Sequence, residues 1–286
     1  MRGGDLDWQR VKLYISCDME GIAGVSVSRQ CDHTNMTEYP VYRRYMSQEV
    51  AAVIEGARDG GATEFLVNDS HGTMVNLLWD DLPPDARVIT GSRKPGSMTE
   101  GMASGFAGAI FTGYHAKAGT LDGVLGHTYN GALFDVRING TSCSETLINA
   151  AMAGYHGIPV IMVSGDEALI SEVRTQLPWA LGVAVKRGIG KLSADSLSPR
   201  AAQAALRDGA RRAVAGLDRA KPFVFEKPMI LEIQTTQVEQ ADFIADIPGV
   251  ERIDGRTVRY RHEDYRAVYA MLVTSYRLVT AAASIA

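Results

Sequence analysis

The sequence predicts an α/β protein: a mostly parallel sheet with helices on both faces, followed by a smaller C-terminal α+β subdomain. Three observations predict it. Short, continuous apolar runs recur along the chain, the pattern of strands covered on both faces. Amphipathic stretches of helical period separate those runs. A change of composition, marked by Pro222 and Pro228, begins near residue 221.

The first ten residues are polar and read as an extension. Lys12–Ser16 is the first strand and runs into the loop Asp18–Gly24. From Val41 to Arg58, Tyr45, Met46, Val50, Val53, Ile54 and Ala57 recur at helical spacing, and Gly60-Gly61 ends the helix. Phe65–Val67, Arg87–Thr90 and Ala109–Thr112 are further strands. Leu133–Gly140 is a strand entering a turn, Ser142–Ala153 a helix, Val160–Val163 a strand, and Glu167–Leu177 a helix closed by Pro178. An Ala-rich helix spans Pro199–Ala215. Beyond residue 221 come a strand at Ile230–Gln234, a short helix, a hairpin turning at Asp254-Gly255 and a last helix from Tyr265 to Ala282. The expected organisation is an extension over 1–11, an α/β metal-binding catalytic domain over 12–220 and an α+β subdomain over 221–286.

Composition narrows the function. The chain has 286 residues, 46% hydrophobic and 22% charged, with 29 basic against 33 acidic residues. That is the profile of a globular protein with a sizeable core. A net charge of −4 with dispersed Lys and Arg carries no nucleic-acid footprint. No apolar run approaches the roughly 20 residues of a membrane span, and the N-terminus has no apolar signal segment. Cys17, Cys31 and Cys143 are too few for a disulfide scaffold. A reducing, cytoplasmic setting is expected.

Chemistry gathers at the strand ends. Asp18 and Glu20 lie just past the first strand, His71 just past the second and His115 just past the fourth. In a parallel sheet all carboxyl ends share one edge, where ligands bind. Two carboxylates and two imidazoles are thereby aimed at one region, a nitrogen and oxygen donor set suited to zinc or a similar divalent metal. Glu145 is a candidate fifth ligand and His127 a further imidazole. Taken singly, each has an ordinary structural explanation. Glu145 completes a capping box Ser142-x-x-Glu145, and an isolated loop carboxylate or half-buried histidine needs no function. Convergence on one edge favours a site. Nucleophile alternatives are weaker. Val163-Ser164-Gly165 is not a nucleophile elbow, and Gly188-Ile-Gly-Lys191 lacks the first glycine and the final Ser/Thr of a P-loop. Strand alternation turns Cys17 away from Asp18 into the core. His156 is read as a helix-end residue, and His33 and His262 receive no role.

The series Ser16-x-Asp18-x-Glu20-Gly21, Asn68-Asp-Ser-His71, Lys94-Pro95 and Gly113-Tyr-His115-Ala116, with the later His127 and Glu145, resembles the zinc-dependent D-aminopeptidases of the DppA type, peptidase family M55. The likeness runs in order from about residue 12 to the C-terminus. It implies two zinc ions per chain held by Asp18, Glu20, His71, His115 and Glu145, with Asp18 bridging, and a catalytic role for His127. It further implies release of N-terminal D-amino acids from short peptides or amides, and a ring-like homo-oligomer, typically a decamer. Five ligands fill two tetrahedral sites only if a carboxylate and a solvent oxygen are shared, which leaves room for substrate. His127, not required as a ligand, is free to shuttle a proton near neutrality or to stabilise the oxyanion, readings preferred to the covalent attack that the resemblance also suggests. The chain departs from the family in its N-terminal extension and in the Asn130–Phe134 segment after His127. Two other readings stand beside this one: a dinuclear amidase acting on another small amide or lactam, and a non-catalytic assembly protein with a vestigial site. Phosphoester cleavage is disfavoured because no Arg accompanies the ligand motifs.

Overall fold

A computed structural model describes residues 11–103 and 105–282. Apart from Val11, the expected N-terminal extension lies outside the described residues. In chain order the elements are β1 (Lys12–Cys17), α1 (Tyr39–Asp59), β2 (Glu64–Asp69), β3 (Ala86–Ile89), β4 (Gly108–Tyr114), β5 (Leu133–Ile138), β6 (Thr141–Ser142), α2 (Glu145–Tyr155), β7 (Val160–Asp166), α3 (Glu167–Gln176), β8 (Leu181–Gly190), β9 (Ser193–Ser196), α4 (Pro199–Ala215), β10 (Met229–Thr235), α5 (Val238–Ala245), β11 (Glu251–Arg252), β12 (Thr257–His262) and α6 (Tyr265–Ala282).

The larger sheet has the order β3-β2-β1-β4-β7-β8-β9. All its pairings are parallel except β8 with β9. From β1 the chain steps outward through β2 to β3, then returns to lay β4 on the other side of β1. The strand order therefore reverses between β1 and β4, the place where an open α/β sheet leaves a crevice at its carboxyl edge.

Alternation along β1 shows how the sheet is covered. Leu13, Ile15 and Cys17 face a core built with α1 and α4, whereas Tyr14 faces a core shared with α2, α3, α5, α6 and the smaller sheet. Cys17 is fully buried, as the alternation predicts. Burying a Leu or Ile side chain stabilises by about 1.5–3 kcal/mol, so the paired apolar faces of this strand anchor it between two cores. The smaller sheet, β11-β12-β10-β5-β6, is antiparallel. Two expectations change and one element is new. The strand at Leu133–Ile138 belongs to this smaller sheet, paired with β10, because Val136 and Ile138 need the apolar face that Leu231 and Ile233 supply. The hairpin β8–β9, which the sequence reading did not single out, extends the larger sheet. Its tip is the Gly188-Ile-Gly-Lys191 segment, so the P-loop-like string runs from strand to strand and opens no helix. The second change concerns Ser142, which lies in β6 and donates to Asp135 Oδ1 (2.6 Å). Ser144 caps α2 instead, its Oγ accepting from the Leu147 N–H.

Candidate functional site

Backbone contact between β1 and β4 sets the position of the first two carboxylates. The Asp18 N–H donates to the Thr112 carbonyl and the Gly21 N–H to the Gly113 carbonyl, at 2.9 and 2.8 Å. So close an approach requires glycine: a Cβ on Gly21 would lie 1.7 Å from the Tyr114 carbonyl oxygen. Gly113, at φ +71°, would likewise drive a Cβ to 2.2 Å from the Asp18 carbonyl oxygen. Beneath this junction Ser16 Oγ meets Ser70 Oγ and the Tyr114 hydroxyl, both at 2.7 Å, and Asn149 donates to the same hydroxyl. The strand ends thus rest on a buried, satisfied polar network.

All six candidate residues come together. His71 Nδ1 stands 2.9 Å from Glu20 Oε2 and 3.2 Å from Asp18 Oδ1. His115 Nε2 stands 3.5 Å from Asp18 Oδ2 and 3.6 Å from Glu145 Oε1. His127 Nε2 lies 4.0 Å from both Glu20 Oε1 and Glu145 Oε1. Its ring stacks on that of His115 with centroids 4.1 Å apart. The three imidazoles share one plan. The far nitrogen of each donates to a main-chain carbonyl: His71 Nε2 to Cys31, His115 Nδ1 to Ala116 and His127 Nδ1 to Leu125, each at 2.9 Å. In the neutral imidazole that carbonyl keeps the proton on the outer nitrogen, so the nitrogen facing the carboxylates could give its lone pair to a metal.

The electrostatics are set by burial. Asp18, Glu20 and Glu145 are all buried. Burial, with Glu20's charge adding, pushes the Asp18 carboxyl up to about 6, and burial also raises Glu145 against the opposing charge of His127. Burial acts to raise Glu20 too, but the charge and hydrogen bond of His71 outweigh it and hold that carboxyl well below its usual range. Burial depresses His115, reinforced by His127. For His71 and His127 burial is outweighed by the facing carboxylates, Glu20 first in each case, and both rise.

Three buried carboxylates call for positive charge. His115 Nε2 is also a fully buried ring nitrogen without a hydrogen-bond partner, aimed between Asp18 and Glu145. These residues therefore fit a metal. The donor atoms form three compact groups: Asp18 with His115 and Glu145, Glu20 with His71 and Cys31, and Glu20 with His115 and His127. Asp18 faces two of the imidazoles, one oxygen toward His71 and the other toward His115.

A cavity of about 230 Å³ opens over these groups. Met74, Ser97, Met98, Tyr129 and Tyr276 line it, none of which the sequence reading identified. Tyr129 stacks on Tyr276 at 4.7 Å, and its N–H donates to Glu145 Oε1 at 2.6 Å. Met74, Ser97 and Tyr129 all hold left-handed backbone, at φ 59°, 49° and 63°. Such conformations cost of order 1–3 kcal/mol each and cluster at functional sites, but only glycine or asparagine announces them in a sequence. Elsewhere Ser164 is buried against Thr112, and His33 and His262 are exposed; none joins the site. His156 caps the end of α2.

Comparison with known proteins gives the family. The family model for peptidase M55, D-aminopeptidase, matches residues 11–274. A D-aminopeptidase of Bacillus subtilis (strain 168) is 38% identical over 268 residues, covering 92% of this chain and 96% of that protein. The solved structure of the zinc-dependent D-aminopeptidase DppA from Bacillus subtilis, described as a self-compartmentalizing protease, superposes with a TM-score of 0.91 at 35% identity. That superposition covers 94% of this chain and 98% of the other. The chain belongs to the M55 family of D-aminopeptidases.

Proposed function

We propose that this protein is a zinc aminopeptidase that releases N-terminal D-amino acids from short peptides or amino-acid amides, with two zinc ions per chain. The observation that carries the reading is the buried, unpartnered His115 Nε2 between two buried carboxylates. Asp18, Glu20, His71, His115 and Glu145 would hold the metal. Asp18 would serve both metals in this reading, since one of its oxygens faces His71 and the other His115. Bound zinc supplies Lewis acidity toward a carbonyl and lowers the pKa of water.

The chain's own residues do the rest. The Cys31 and Ala116 carbonyls hold the imidazoles of His71 and His115 in the ligating tautomer. The Leu125 carbonyl does the same for His127, so its proton chemistry takes place at Nε2, on the cavity side. There it serves as acid and base for the scissile amide, a role an imidazole fills near neutrality. Tyr129 and Tyr276 wall a space sized for a short substrate. Three buried, unpaired thiols, Cys17, Cys31 and Cys143, accord with a cytoplasmic setting. We further propose self-association into a ring-like homo-oligomer, a decamer by family resemblance.

The test is hydrolysis of a panel of D- and L-aminoacyl amides and dipeptides by zinc-loaded protein, with metal counted on the same sample. Two zinc ions per chain and a preference for D substrates are expected. A protein that binds zinc but cleaves only other amides or lactams would overturn the aminopeptidase assignment, and one that binds no zinc would overturn the metal site.

A further inference from the structure

The loop that carries Asp18 and Glu20 has an unusual support. Lys186, on β8, is 4% exposed. Its ammonium donates to the carbonyl oxygens of Glu20, Ile22 (3.0 Å) and Val25 (2.7 Å). An ammonium has three donors and no acceptor, so all three are spent on one loop. From the other side Glu49 Oε1, on α1, accepts the Ala23 N–H at 2.9 Å, and Ser196 Oγ, on β9, accepts the Gly24 N–H at 2.8 Å. Gly21 donates to β4. Apart from the Ile22 N–H, which turns back to Met19, these loop groups bond to other elements. Their placement is imposed by α1, β4 and the β8–β9 hairpin.

We infer that Lys186 is the positioning residue of the proposed metal centre, fixing the main chain from which the Glu20 carboxylate reaches His71. The inference rests on the reading of Asp18 and Glu20 as ligands. Lys186 has no donor left for substrate and acts only through the loop. Its burial is costly for a cation: desolvation brings its pKa down to about 8, against the opposing pull of neighbouring Cys31, Asp166, Glu49 and Glu20. An apolar side chain of similar length would fill the space without that cost but would leave three carbonyls unpaired. Those carbonyls belong to the segment whose geometry a metal site must hold within tenths of an ångström.

The experiment measures zinc affinity by chelator competition, and thermal stability of the metal-free form, for the full-length wild type, Lys186→Met, Lys186→Gln and Tyr265→Phe. Tyr265→Phe removes one buried hydrogen bond, to the Ile148 carbonyl, in the other core. Groups that orient ligands contribute typically 10–100-fold to metal affinity. Lys186→Met should weaken zinc binding by about that factor, and Lys186→Gln, which keeps a donor, by less. Tyr265→Phe should lower the melting temperature and keep wild-type zinc affinity. If Lys186→Met does not fold, Lys186→Gln carries the test, with any loss beyond the Tyr265→Phe control as the supporting result. Wild-type zinc affinity in the folded Lys186 variants would overturn the inference, as would an equal loss in Tyr265→Phe. A wild type that binds no zinc would instead sink the metal-site reading itself.

Discussion

His127 differs from its two neighbours by distance. The site-facing nitrogens of His71 and His115 approach carboxylate oxygens at 2.9 and 3.5 Å, whereas that of His127 stands 4.0 Å from its nearest two. It is also the more open ring, 26% exposed at the side chain against 1% for His115, and it lines the cavity. A ligand is enclosed; a group that exchanges protons with substrate must be reached. His127→Ala should therefore keep zinc and fold while kcat falls by roughly 10²–10⁴, with little change in KM. Zinc content and kcat measured on one preparation check this, and near-wild-type turnover would remove His127 from the chemistry. The candidate ligands were legible because Asp18, Glu20, His71 and His115 each come just after a strand, and a parallel sheet brings all such positions to one edge. The walls were not. Tyr276 reaches the cavity from α6, far along the chain, and the left-handed Met74, Ser97 and Tyr129 have side chains that give no sign of it.

At the scale of elements, the junction of β7 and α3 does for the His127 loop what Lys186 does for the Asp18 loop. Asp166 ends β7 and caps α3, one oxygen accepting the Leu169 N–H at 2.8 Å and the other the Val124 N–H at 2.7 Å. A single buried carboxylate thus starts a helix and ties down the segment leading to His127. Removing it costs about 1 kcal/mol for the cap and about 1–3 kcal/mol for the buried N–H left unpaired. Asp166→Ala should lower stability by that combined amount in denaturant titration and lower kcat, since Val124 leads directly to His127. A variant as stable as wild type would show that the tie is not energetically important. The central strands could be read from continuous apolar runs and the helices from period and composition, and Pro199–Ala215 is found as a helix with the expected bounds. The β8–β9 hairpin could not, because β9 is only exposed and half-buried, Lys186 is a charged residue that β8 nonetheless buries, and Arg187-Gly-Ile-Gly190 breaks the apolar run. The cap of α2 lies two residues beyond the expected Ser142, since the capping box favours Ser142 in sequence and only the pairing of β6 with β5 takes that residue into a strand.

At the scale of the whole molecule, the two sheets and their helices close around one site, but a single chain leaves that site open to solvent through its cavity. The smaller sheet pairs β5 with β10 across a long stretch of sequence, a join that no periodicity records, and α6 returns from it to place Tyr276 over the metal-binding edge. A net charge of −4 on 286 residues sets up little self-repulsion against association. If the chain assembles as proposed, access to the cavity is governed by the assembly and not by the cavity alone. Light scattering at working concentrations should then give a mass that is a multiple of the 30.9 kDa chain. The rate of cleavage should also fall with peptide length more steeply than binding of the N-terminal residue can explain, because a long chain must thread into an enclosed space. Dilution until the assembly dissociates separates the effects: if enclosure sets the length limit, long peptides should gain relative to short ones as the oligomer is lost. A monomeric mass would overturn the assembly, and an unchanged length preference on dissociation would assign size selection to the cavity of the single chain.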